Sequence, residues 1–116
     1  MYKKDFTVKR GETFNKDIYF KVEGKPYNLA GYTAKSQIRP FVESEELIAE
    51  IECTIYEQKG LVHLNLDKEI TYNLPAGSYY YDLCLSKNGV NTYYLQGSFA
   101  IKKPVTEPPD VTNNSD

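Results

Sequence analysis

One histidine, two cysteines and a run of carboxylates are the groups in this 116-residue chain that could carry catalysis or hold a metal. His63 could serve as a general base, but that work needs a nucleophile and an orienting partner beside it. Val62 and Leu64 alternate with it, so His63 is expected on the opposite face, at solvent or a sheet edge. No Gly-x-Ser-x-Gly elbow is present, and neither Cys53 nor Cys84 sits in a local nucleophile signature. Glu43, Glu45, Glu46, Glu50 and Glu52 crowd one stretch without the glycine-centred alternation of a calcium loop. A two-carboxylate glycosidase would need a deep cleft, which a sandwich of about 100 residues rarely supplies. No Cys/His spacing suits zinc, and no glycine-rich loop cradles phosphate. The expectation is a non-enzymatic chain with no cofactor and no metal, its acidic run a solvated face.

The eleven tyrosines carry more information, set against five Phe and no Trp. Tyr79, Tyr81 and Tyr93 fall on faces with leucines and read as core or half-buried positions. Tyr80 and Tyr94 fall on the opposite faces, with Asp82 and Gln96 beside them. If the two segments that hold them pair as a hairpin, Tyr80, Tyr94 and Gln96 become near neighbours on the outside. Such a patch suits a protein interface or the stacking of sugar rings, with ordinary cross-strand pairing as the plain alternative.

Composition narrows the partners. Leu, Ile, Val and Phe together make 28 of 116 residues, just above the level of about 20% at which disorder threatens a highly charged chain. The net charge of −2 is low, so most of the chain is expected to fold. Acids and bases are interspersed and only Arg10 and Arg39 are arginines, which argues against nucleic acid as a partner. There is no apolar run of membrane-spanning length, and Met1-Tyr2-Lys3-Lys4-Asp5 lacks the apolar core of a secretory signal. Two cysteines are too few for a disulfide framework, so free thiols in an intracellular setting are expected.

The elements that must position the tyrosines alternate with period two and end at turn residues. Phe14–Val22 breaks at Glu23-Gly24-Lys25-Pro26, and Tyr32–Arg39 stops at Pro40. Leu47, Ala49, Ile51, Cys53 and Ile55 share the most apolar face, after an irregular turn at Ser44-Glu45-Glu46. Leu61–Leu66 follows, then a polar stretch at Asp67–Asn73 with room for a single helical turn. Ser78–Ser86 and Val90–Ile101 flank Asn88-Gly89, a strong hairpin signal because both residues tolerate positive φ. Tyr93, Leu95, Phe99 and Ile101 are expected on one face, with Gly97 marking a bulge or a close backbone approach. With Asp5–Lys9 as the first, these segments give an all-β chain, an immunoglobulin-like antiparallel β-sandwich of about seven strands. The sandwich is expected over residues 1–103 and a proline-rich, extended, mobile tail over 104–116. Within that tail Asn113-Asn114-Ser115 matches a glycosylation sequon by chance.

The order of motifs resembles the immunoglobulin-like N-terminal domain of baseplate upper proteins from phages and prophages of Gram-positive bacteria. The residues that carry the resemblance begin with Arg10-Gly11-Glu12-Thr13 and Gly24-Lys25-Pro26-Tyr27-Asn28-Leu29-Ala30-Gly31. Ala34 with Gln37-Ile38-Arg39, then Leu74-Pro75-Ala76-Gly77-Ser78-Tyr79-Tyr80-Tyr81-Asp82-Leu83, and finally Gly97 complete the set over roughly residues 5–101. The resemblance implies a virion structural part, made in the bacterial cytoplasm and built into a tail or baseplate by contacts with other virion proteins, with homo-oligomers possible. It implies no catalytic residues. No receptor-binding scaffold follows the tail, so the expected part is a small stand-alone component or one domain of a longer chain. Cell-wall glycan, bound through the surface tyrosines, is the alternative partner.

Overall fold

A computed structural model describes residues 2–108; the sequon at Asn113 lies outside them. Among the described residues there are ten strand segments: β1 (Tyr2–Lys3), β2 (Phe6–Lys9), β3 (Phe14–Tyr19), β4 (Lys21–Val22), β5 (Lys25–Pro26), β6 (Thr33–Arg39), β7 (Ala49–Tyr56), β8 (Leu61–Leu66), β9 (Gly77–Lys87) and β10 (Val90–Lys102). A short helix, α1 (Lys68–Tyr72), occupies the polar stretch before β9. All seven expected strands are present. The extra segments arise because β1 precedes the first expected strand, Asp5–Lys9, which is β2, and because the second ends at Tyr19 before a small β4–β5 hairpin. Glu23 and Gly24 take positive φ in that hairpin's turn, so Val22 is exposed rather than part of the expected inner face. Leu47 is likewise outside, because β7 begins only at Ala49.

One layer holds β1 and β2 beside β10, then β9 and β6; the other holds β7, β8 and β3. The start of β7 pairs with β6 through Ala49–Ile51, and its remainder pairs with β8 through Glu52–Tyr56, so the sheet curls from one layer into the other. The inner faces enclose an aromatic centre: Phe14 of β3 packs edge-on against Phe99 of β10 at 4.9 Å and against Phe6 of β2 at 5.1 Å. This is an immunoglobulin-like β-sandwich.

Pairing is antiparallel throughout except at the amino terminus. There β1 and β2 run parallel to β10, against an expected sandwich of antiparallel strands alone. A parallel pair needs a long connection, and here the whole domain lies between the two partners. The motifs that suggested a baseplate domain serve this framework. Arg10 donates to the Tyr72 carbonyl at 2.7 and 3.1 Å, and the Gly11 amide donates to Thr71 Oγ1, which fixes α1. Tyr79 Oη donates to the Pro75 carbonyl at 2.6 Å, the backbone tie that marks the corner before this strand in such sandwiches. Beyond β10 the chain turns back onto the domain, with Tyr72 Oη bonded to Glu107 and the Pro108 ring against Gly11.

Candidate functional site

The outward face of β6, β9 and β10 is built in rows by the strand register. Arg39, Tyr80 and Ser98 form one row; Gln37, Asp82 and Gln96 the next; Lys35, Cys84 and Tyr93 the third. The twisted sheet hollows this face into a trough of about 410 Å³ lined by residues of all three rows. A second hollow of about 310 Å³ adjoins it and shares Val42, Tyr80 and Gln96 with it.

Two of the three expected interface residues, Tyr80 and Gln96, line this trough; Tyr94 does not. Tyr93 pairs with Cys84 and Leu95 pairs with Leu83, so β10 carries one extra residue there, Tyr94. That bulge turns Tyr94 inward, where it packs edge-on against Phe20 at 5.3 Å beside the core. Tyr93, expected inside with Leu95, is instead half exposed in the trough. Nor are the two outer tyrosines neighbours: two rows of strand separate Tyr80 from Tyr93, about 14 Å along the sheet. The glutamine–aspartate–glutamine row lies between them. Gly97 is the close approach rather than the bulge, since a Cβ there would collide with the Lys4 carbonyl of the parallel N-terminal segment.

Electrostatics in the trough are mixed. Partial burial raises the Asp82 carboxyl above the usual aspartate range, and the Arg39 charge opposes that rise. Arg39 itself is spent on structure: its guanidinium donates to the Ser44 and Glu45 carbonyls and to Gln37 Oε1. These bonds hold the loop over residues 40–48, in which Phe41 and Val42 are 57% and 77% exposed and Val42 lines the trough.

His63 does find an orienting partner, Asp17 Oδ1 at 2.6 Å from Nδ1, with Asn15 Oδ1 at 3.1 Å from Nε2. Among the described residues no hydroxyl or thiol is bonded to the ring, so the nucleophile that a catalytic base requires is not beside it. Burial, with help from Glu50 and Glu52, pushes the Cys53 thiol up to about 11, which leaves it a poor nucleophile. No group of three His, Cys, Asp or Glu side chains suited to a metal ion occurs among the described residues. No helix among them is long and apolar enough to cross a membrane.

No family model and no curated protein matches the chain. Solved structures do. The chain is similar to a family 123 glycoside hydrolase from Clostridium perfringens, at 15% identity and a TM-score of 0.58 over 97% of this chain and 25% of the hydrolase. It is also similar to CopC from Methylosinus trichosporium OB3b, at 16% identity and a TM-score of 0.48 over 90% and 89% of the two chains. Murine CRIg matches at 11% identity and a TM-score of 0.42 over 86% and 92%. The chain thus spans a quarter of the hydrolase, and the likeness concerns the fold alone.

Proposed function

We propose that this chain is a non-enzymatic structural module of a phage or prophage tail or baseplate, docking other virion proteins through the outward face of β6, β9 and β10. Support for the virion setting is the ordered run of motifs from Arg10 to Gly97. The observation that carries the docking surface is the trough between Tyr80 and Tyr93, with Val42 exposed in its lining and Phe41 exposed next to Val42 in the chain. Amphipathic tyrosines and unpartnered apolar side chains around a polar row are the composition of a protein interface. A glycan would use the tyrosines and the Gln37-Asp82-Gln96 row, whose amide and carboxyl groups suit hydroxyls. The aliphatic Val42 offers a sugar little, which ranks that second reading lower.

The test is incorporation. Particles induced from a host that carries this gene are purified, and their proteins identified by mass spectrometry. The chain is expected in them, and the variant Tyr80→Ser/Tyr93→Ser is expected to fold normally and to be depleted about tenfold or more. Absence of the wild-type chain from particles contradicts the virion setting. Normal incorporation of the double variant contradicts the surface. Saturable binding to a purified wall polysaccharide, lost in the same variant, would favour the glycan reading.

A further inference from the structure

The layer of β7, β8 and β3 ends at an unpaired edge. Among the described residues β3 pairs only with β8, and it stands last in the sheet order. The ladder fixes which backbone groups are left over. Phe20, just after β3, donates its amide to the Gly60 carbonyl in register with β8, so the even-numbered residues turn their amides and carbonyls to β8. Asn15, Asp17 and Tyr19 therefore turn theirs to the open side, where no backbone bond reaches them among the described residues. The edge of β2, across the gap in the other layer, offers less. The Lys4 and Arg10 amides on either side of β2 donate to Gln96 and Lys102, which leaves Asp5, Thr7 and Lys9 facing outward. Glu12 then occupies Lys9, its amide on the Lys9 carbonyl at 3.0 Å and its carboxylate on the Lys9 amide at 2.9 Å.

Between the two edges lies a hollow of about 340 Å³ whose lining includes Phe6, Phe14, Lys4, Asp5, Glu12 and Lys16. Its charges balance, two lysines against two carboxylates, so the hollow as a whole selects no partner by sign. Position along β3 does. Asp5 accepts from the Ser98 amide, Glu12 from the Lys9 amide, and Lys4 lies 6.0 Å from the centre of the Phe6 ring. Lys16 has no hydrogen bond or ion pair among the described residues, and it stands exposed on the side of β3 that carries Phe14 and Ile18. A second copy fits this edge poorly. When two β3 edges pair antiparallel with the same side inward, the fullest overlaps set Lys16 against Lys16 or Asp17 against Asp17. Like charges directly opposite are destabilising.

We infer that the open edge of β3 receives an extended segment of another protein, with an acidic residue opposite Lys16 and apolar residues opposite Phe14 and Ile18. Backbone bonds to Asn15, Asp17 and Tyr19 supply the affinity, and Lys16 supplies the selection. A lysine pointing inward at an edge also keeps that edge from pairing indiscriminately. The surface lies on the other layer from the trough, and it stands or falls independently of the docking reading above.

The probe is the acetylated, amidated heptapeptide Thr-Val-Thr-Glu-Thr-Val-Thr, titrated into the full isotope-labelled chain and followed by amide NMR. Its acidic-centred pattern reads the same in both strand directions. Saturable shifts are expected, largest at the Asn15, Asp17 and Tyr19 amides, with hydrogen exchange slowed there. The same peptide with lysine in place of glutamate is expected to bind about fivefold more weakly, as an exposed pair turned from attraction to repulsion should. Lys16→Glu is expected to exchange that preference. Methylating the backbone nitrogens of the two threonines that flank the glutamate is expected to abolish binding. Should Lys16→Glu unfold, which its amide spectrum reports, the peptides on the wild-type chain still decide. No saturable shift at β3 overturns the inference, and so do shifts confined to the trough. Equal binding of the methylated peptide also overturns it, since that would mean a contact with a face rather than an added strand. So does equal binding of the glutamate and lysine peptides to the wild-type chain.

Discussion

Replacing Phe99 with alanine is expected to destabilise the domain by about 3–5 kcal/mol, the largest effect of any single truncation in this core. The ring is fully buried, and three other rings converge on it: Phe14 at 4.9 Å, Tyr81 at 6.3 Å and Phe6 at 6.4 Å. These come from β3, β9 and β2, so Phe99 is where the two layers and the parallel amino-terminal strand meet. A cavity there cannot be filled by one neighbour without detaching it from another. Domains of this size are held by about 5–15 kcal/mol in all, so the variant should be marginal at best. Urea unfolding with tyrosine fluorescence measures it, and a loss below about 1 kcal/mol would show that the core repacks freely.

Gly97→Ala is expected to release the amino-terminal segment while leaving the remainder of the sandwich folded. The added methyl would overlap the Lys4 carbonyl oxygen and lie within 2.6 Å of its carbon and 2.9 Å of Asp5 Oδ1. Two of these are backbone atoms, so the segment must move as a unit. Its ties are the Lys4 amide to the Gln96 carbonyl at 2.8 Å, Tyr81 Oη to the Lys4 carbonyl at 2.7 Å, and the Ser98 amide to Asp5. All three would be lost together, with an overpacking cost of about 1–3 kcal/mol. Hydrogen exchange should show fast amides at Lys4 and Ser98 in the variant, with β8 and β9 still protected. Unchanged protection at Lys4 would mean that β10, not the amino-terminal segment, gives way.

The fold was legible because each strand advertised its inner face. Tyr79, Tyr81, Leu83 and Leu85 of β9 are all buried, and Asn88 and Gly89 do take positive φ at the hairpin. The single helical turn expected near residue 70 is α1. What the pattern concealed was the bulge at Tyr94, and with it one member of the site. The conflict that demands the bulge was nonetheless present in the residues. A two-residue loop at Asn88-Gly89 pairs Lys87 with Val90, and an unbroken ladder would then pair Asp82 with Leu95. That would put Leu95, Phe99 and Ile101 on the solvent face. Burying them requires one extra residue on β10 between Thr92 and Leu95, which exchanges the faces of Tyr93 and Tyr94. The parallel pairing of β1 and β2 was not legible, because alternation fixes a strand's face and says nothing of its neighbour's direction. The rows of the trough depend on register between strands distant in sequence, and so they too emerged only from the structure.

Assembly is expected to cover the outward face of β6, β9 and β10. Tyrosine-selective chemical modification, read residue by residue by mass spectrometry, tests it most directly. The free monomer is expected to react at Tyr80, at Tyr93 and at Tyr27, which lies away from the trough. In the assembled state Tyr80 and Tyr93 are predicted to be protected while Tyr27 reacts as before; equal reactivity of Tyr80 and Tyr93 in the two states would contradict the account.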